Sequence, residues 1–188
     1  LETITTDHRG HAAELGARAR VDRVDAVIAL GGDGTANEIV NGMLGDEGPG
    51  PDVPAFGIVP GGSANVFSRS LGFPPDPIEA TGEMIAALRQ RRTRRISLGR
   101  ANGRWFLCNA GLGLDAEIIQ AMEAARAKGK AATPTRYLAT TLRTFFRGTD
   151  RRASSLVVIA PGHEPVRRVF VAIVQNTSPW TYLGALPV

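Results

Sequence analysis

The chain has 188 residues, 43% of them hydrophobic, and a formal net charge of +4. That length suffices for one large or two small domains; no apolar run reaches the ~18 residues of a membrane span, and Leu1 starts no signal peptide, so a cytosolic protein is expected. A single cysteine, Cys108, excludes disulfides and thiolate metal clusters within the chain and reads as a small core residue.

Leu1 to Thr6 reads as a short strand, and Arg9 to Arg20 as a helix burying Ala12, Leu15 and Ala19. The apolar run Asp25 to Leu30 is a strand of the kind covered on both faces of a parallel sheet. It runs into Gly31 Gly32 Asp33 Gly34 Thr35, after which Thr35 to Leu44 reads as a helix. Thr35 and Glu38 have the spacing of a capping box, and Ile39, Met43 and Leu44 line one face. The glycines thus feed a helix N-terminus, where backbone N–H groups and the helix dipole favour an anion such as phosphate. A carboxylate in that cradle, Asp33, is costly beside a phosphate unless a cation bridges the two or the carboxylate orients or accepts a proton.

The loop Gly45 to Pro54 leads to a second strand, Ala55 to Pro60, a second glycine turn, Gly61 Gly62, and a second helix with Ser63 as its N-cap. Adjacent parallel strands would aim both turns at one crevice at their carboxyl ends. Asp76 Pro77 Ile78 Glu79 starts a helix expected to reach about Gln90, with Ile78, Met84, Ile85 and Leu88 inward. The run Arg89 Gln90 Arg91 Arg92 Thr93 Arg94 Arg95 suits an anionic surface, although a solvated helix end explains it as well. No nucleic-acid motif accompanies it.

A domain boundary near Thr93 divides an α/β lobe, 1–93, from a second domain, 94–188. Arg95 to Ala101 and Arg104 to Cys108 flank Asn102 Gly103, a strong hairpin signal. Helices are expected over Asp115 to Lys128 and over Pro134 to Arg147, the latter with Thr133 as N-cap. A second hairpin pairs Ser155 to Ala160 with Val166 to Gln175 through the turn Pro161 to Pro165. His8, His11 and His163 show no metal-ligand spacing, and no metal site is expected.

GGDGT followed by PGGS, with Asn65 two residues further on, resembles the catalytic domain of diacylglycerol kinases and related lipid kinases, sphingosine kinases included. The likeness extends to Thr6, to Gly10 His11 Ala12, and to the stretch Trp105 Phe106 Leu107 Cys108 Asn109 with Gly111 Leu112 Gly113. Many bacterial members have Thr where this chain has Ser63, and Asn-Asp where it has Asn65 Val66. The resemblance implies a Rossmann-like α/β nucleotide-binding lobe, of the kind found in phosphofructokinases and NAD kinases. A β-rich lipid-substrate domain is implied to follow, the whole truncated at both ends. It implies that Thr6 contacts ATP, that Gly31, Gly32, Asp33, Gly34, Thr35 and Asn37 wrap the phosphates, and that Gly61, Gly62, Ser63 and Asn65 form the second turn. Asp33 would arrange the phosphates and the acceptor hydroxyl, directly or through Mg2+ and water. Ile118, Ile119, Met122, Tyr137, Leu138, Leu142, Phe145 and Phe146 would line an acyl-chain pocket, although apolar residues at helical spacing also read as core.

The expected activity is transfer of the γ-phosphoryl group of ATP to a hydroxyl of diacylglycerol or a sphingoid-like lipid, with peripheral contact to an anionic membrane. The family's magnesium-binding acidic cluster and general base lie beyond Val188, so this chain alone is expected to bind nucleotide weakly and turn over poorly. Three alternatives stand beside this: a soluble kinase of the NAD kinase type, a non-catalytic nucleotide-binding module, and a basic membrane-adhering protein.

Overall fold

The apolar runs form two parallel strands, β1 (Ala26–Gly31) and β2 (Ala55–Pro60), in register from Ala26 opposite Ala55 to Gly31 opposite Pro60. The structure is a computed structural model that describes residues 1–127, 156–183 and 186–187. Because side chains alternate across a strand, β2 sends Ile58 to one face and Val59 to the other. Ile58 joins Ala29, Ala36, Ile39, Val40 and Met43 in the main core, and Val59 packs with Ala80 and Met84.

Helices α1 (His11–Val21) and α2 (Asp33–Leu44) pack closely because two glycines remove their Cβ atoms from the crossing. A Cβ on Gly16 would run into the backbone of Ile39, and one on Gly42 into the backbone of Ala13. Arg20 fastens the C-terminal end of α2 from α1: its Nη1 donates to Met43 O and Leu44 O, each at 3.0 Å, while Nε and Nη2 grip Asp52 at 2.6 and 3.1 Å. The guanidinium beside Asp52 holds that carboxyl below its usual range.

After β2 come the short α3 (Val66–Ser70) and α4 (Pro77–Arg89). Asp76 caps α4 by accepting the amides of Ile78 and Glu79 at 2.9 and 3.0 Å, as the sequence predicts. The hairpin β3 (Gly99–Ala101) and β4 (Arg104–Phe106) turns at Asn102 (φ 49°) and Gly103 (φ 81°), the left-handed pair that an Asn-Gly turn supplies.

Two compact units are present, Leu1–Asn109 with Gln175–Val188, and Ala110–Val174. They divide the chain differently from a boundary near Thr93, because 94–109 is bonded to α2 through the asparagines described below. Strand β5 (Asn109–Gly113) leads into α5 (Leu114–Ala127); further along lie β6 (Leu156–Val158), β7 (Val166–Val169) and β8 (Val171–Gln175). β6 pairs antiparallel with β7, whereas β8 pairs with β5. The expected second hairpin arm, Val166 to Gln175, is therefore two strands with different partners. A two-residue ladder, β9 (Tyr182–Leu183) with β10 (Leu186–Pro187), closes the described chain.

Several expectations are corrected. Leu1 to Thr6 is exposed and forms no strand, since no neighbour pairs with it among the described residues. Thr35 and Glu38 make no capping box: the helix opens two residues earlier, at Asp33, and Glu38 Oε2 instead accepts the amide of Gly10 at 3.2 Å. In α1 the fully buried positions are Ala12 and Gly16. In α4 Met84 is buried, but Ile78 is 83% exposed and Ile85 and Leu88 are nearly half exposed, because the helix meets β2 along the Ala80–Met84 line. On α5, Ile118 is buried and Ile119 exposed. The predicted helix Pro134 to Arg147, with Tyr137, Leu138, Leu142, Phe145 and Phe146, lies outside the described residues.

Candidate functional site

Both glycine turns lie at the carboxyl ends of paired parallel strands, and they touch. The Gly61 amide donates to Gly31 O at 2.9 Å. A Cβ on Gly61 would stand 3.2 Å from Gly31 Cα, and one on Gly62 only 2.6 Å from Gly32 Cα. The glycines at 32, 61 and 62 are thus explained by backbone meeting backbone. Gly34 differs: it is exposed, with nothing within 4 Å of the Cβ position. It lies in the first turn of α2, where the amides of Asp33, Gly34 and Thr35 have no acceptor within the helix. Of the glycines in the two turns, this one leaves room for an incoming phosphate.

Asp33 crosses from the first turn to the second. Its Oδ2 accepts the amide of Val66 at 3.0 Å and its Oδ1 that of Phe67 at 2.8 Å, so one carboxylate caps α3 while opening α2. Its negative charge is favourable at both helix starts. Ser63, expected as the cap of the second helix, is exposed and precedes the helix by three residues. Asn65 occupies the N-cap position with φ 50° and ψ 44° and turns inward. Its Oδ1 accepts from Gly62 N at 2.8 Å and its Nδ2 donates to Gly62 O at 2.9 Å, fixing the second turn by two bonds. Thr35 packs its side chain against Gly31.

Cys108 lies beside this constellation, its Sγ 3.9 Å from Asp33 Oδ1. Burial, reinforced by the Asp33 charge, pushes the thiol up from 9.0 to about 12, so it is a neutral packing group at ordinary pH, as its position in the apolar run suggests.

Asn37 belongs to a different piece of work. One turn into α2, its Oδ1 accepts the amide of Leu107 at 3.3 Å. Asn41, four residues on, accepts from Trp105 N at 2.9 Å and donates to Trp105 O at 2.8 Å. Together they offer alternate residues of the β4 segment a substitute for a strand ladder. Trp105 and Leu107 belong to the stretch quoted for the family likeness, but their tie to Asn41 and Asn37 was not foreseen; two asparagines one turn apart inside a helix, where they are disfavoured, are the signal. The structure therefore gathers Gly31, Gly32, Asp33, Gly34, Thr35, Gly61, Gly62, Ser63 and Asn65. Thr6 is exposed, and no hydrogen bond among the described residues joins it to the turns.

The first turns of α2 suit a phosphate. Magnesium is another matter: Asp33 is the single carboxylate in the two turns and both its oxygens serve amides, so the described residues do not by themselves make a magnesium site.

Residues 1–101 match the profile of the diacylglycerol kinase catalytic domain. A diacylglycerol kinase of Bacillus subtilis (strain 168) is 37% identical over 112 residues, 59% of this chain and 34% of that protein. The diacylglycerol kinase of Staphylococcus saprophyticus is 35% identical over 102 residues, 54% of this chain and 31% of that protein. A solved diacylglycerol kinase from Bacillus anthracis str. Sterne superposes with a TM-score of 0.63 at 27% identity, covering 98% of this chain and 55% of that one. The matched stretch is thus about a third of the length of the curated relatives.

Proposed function

Because this chain belongs to the diacylglycerol kinase catalytic-domain family, we propose that the protein carrying it is an ATP-dependent lipid kinase acting on a hydroxyl of diacylglycerol or a related lipid. The observation that carries this reading is the pair of touching turns: an open helix N-terminus at Gly34 for phosphate, and Asp33 locking that helix to the next. Phosphoryl transfer asks a protein chiefly to position its reactants and neutralise charge. The amides of Gly34 and Thr35 and the exposed Ser63 hydroxyl would hold nucleotide phosphates within a Rossmann-like lobe, and Thr6 would have to move towards the turns to contact the nucleotide.

In the reaction the lipid hydroxyl oxygen bonds to the γ-phosphorus, the bond to the β-bridging oxygen breaks, and ADP leaves. The hydroxyl proton passes to a base outside the two turns. Asp33 is a positioning residue in this scheme, since its oxygens already accept two amides. Magnesium, when bound with the nucleotide, would neutralise phosphate charge.

The test is transfer of label from ATP, in the protein that carries this chain, with diacylglycerol and sphingoid bases in mixed micelles and NAD in buffer as acceptors. Labelled lipid supports the reading and names the acceptor. Label on NAD alone, or ATP binding without transfer to any acceptor, overturns it in favour of a soluble kinase or a nucleotide-binding module.

A further inference from the structure

The three histidines have no metal-ligand spacing as sequence, but folding changes what two of them face. Residues 7–10 turn back over the start of α1, aided by Gly10 at φ 91°, and Asp7, His8 and His11 each bring a ligand atom within 4.8 Å of the others. His11 Nδ1 lies 2.8 Å from Asp7 Oδ1, and His8 Nδ1 bonds the same oxygen. The two imidazoles are stacked, with centroids 4.8 Å apart and planes 6° from parallel. On the far side of His8, Nε2 stands 3.4 Å from Glu14 Oε1, on the next turn of α1.

We propose that Asp7, His8 and His11 form a three-ligand binding site for a divalent transition-metal ion such as zinc, with water completing the shell and Glu14 holding the far nitrogen of His8 from outside it. Two imidazoles and one carboxylate, with a water in the fourth position, are a donor set that zinc accepts in four-coordinate sites. Magnesium and calcium prefer oxygen alone, which separates this site chemically from any nucleotide-bound magnesium. Asp7 Oδ1 sits closer to each imidazole than two ligands around a metal with bonds of about 2.0–2.2 Å would, and His11 Nδ1 also accepts the backbone amide of Asp7 at 3.3 Å. An ion would spread these pairs slightly and take the place of the Asp7 amide at His11 Nδ1. The side chains of Asp7 and His8 are 74% and 53% exposed, so these two can rotate at the cost of loosening the stack on His11 and without disturbing the core. The side chains are already gathered, which lowers the ordering entropy that binding must overcome.

Occupancy would pin the segment that contains Thr6 to α1 and, through the bond from Gly10 N to Glu38, to α2. The inference stands apart from the kinase reading, and its test needs no activity. Zinc is titrated into the intact chain against a chromophoric chelator, and cobalt binding is followed by visible absorption. The expected result is one equivalent per chain with the absorption of four-coordinate cobalt. Affinity should fall at least about tenfold in His8→Asn and in His11→Asn, and stay unchanged in His163→Asn, with circular dichroism confirming that α1 persists. Absence of zinc binding in the parent chain, or equal affinity in the His8→Asn/His11→Asn double variant, overturns the proposal.

Discussion

At the residue scale Asp33 ties the two glycine turns together. A carboxylate inside a glycine turn reads as phosphate chemistry, yet its oxygens are bonded to the amides that open α3. Replacing it with Asn keeps one acceptor and sets an NH2 against the other amide. Asp33→Asn should therefore lose about 1–2 kcal/mol of stability in urea denaturation, the cost of a lost cap with an unmet amide. An unchanged urea midpoint would show that the cap is dispensable. Cys108 provides a second residue-scale expectation. Its thiol is held protonated up to about 12 in the fold, above the ordinary 9.0 of the unfolded chain. The stability linked to it is complete below pH 9 and is lost as pH rises towards 12, where the unfolded chain releases a proton that the folded one keeps. Cys108→Ala should flatten the decline of stability across that alkaline window, and the parent thiol should react slowly with a disulfide reagent at pH 8.

At the scale of elements, helix contacts depend on what glycine leaves out. Gly42→Ala would drive a methyl group into the backbone of Ala13 and should cost about 1–3 kcal/mol through overpacking. Gly82→Ala on α4 meets nothing within 4 Å and should add about 0.5–1 kcal/mol through helix propensity; thermal melts of the pair would separate crowding from propensity. Both strands of the β1–α2–β2 unit, the cap of α4 and the Asn-Gly hairpin were legible because each rests on local chemistry: apolar runs, an N-cap, a left-handed turn. The start of α2 was misplaced because Thr35 and Glu38 mimic a cap, while the real opening is set by Asp33 and its long-range partners. The outward side of α4 was misread for a related reason. Periodicity identifies an apolar stripe, but the width of the sheet beneath decides how much of it is covered.

At the scale of the whole molecule, the site was legible as composition and only partly as geometry. Nine of the proposed residues assemble, but Asn37 is engaged by Leu107 and Thr6 stands apart, since a sequence motif does not record which bonds a side chain has already made. The arginine run is exposed, and of its members only Arg89 belongs to the last turn of α4, so helix-end capping accounts for little of it. The chain should therefore sediment with anionic vesicles at low salt and release as salt rises, each basic residue contributing about 1 kcal/mol. Changing Arg91, Arg92, Arg94 and Arg95 to Gln should abolish that binding; retention after the change would assign it elsewhere.

Gly61 is bonded to Gly31, Asn65 clasps Gly62, and Asp33 reaches from one turn to the helix that follows the other. The joint leaves the pair little freedom to shear. A push on either loop is delivered to its neighbour, so an occupant that touches one alone is felt by both, and the two behave as one stiff jaw.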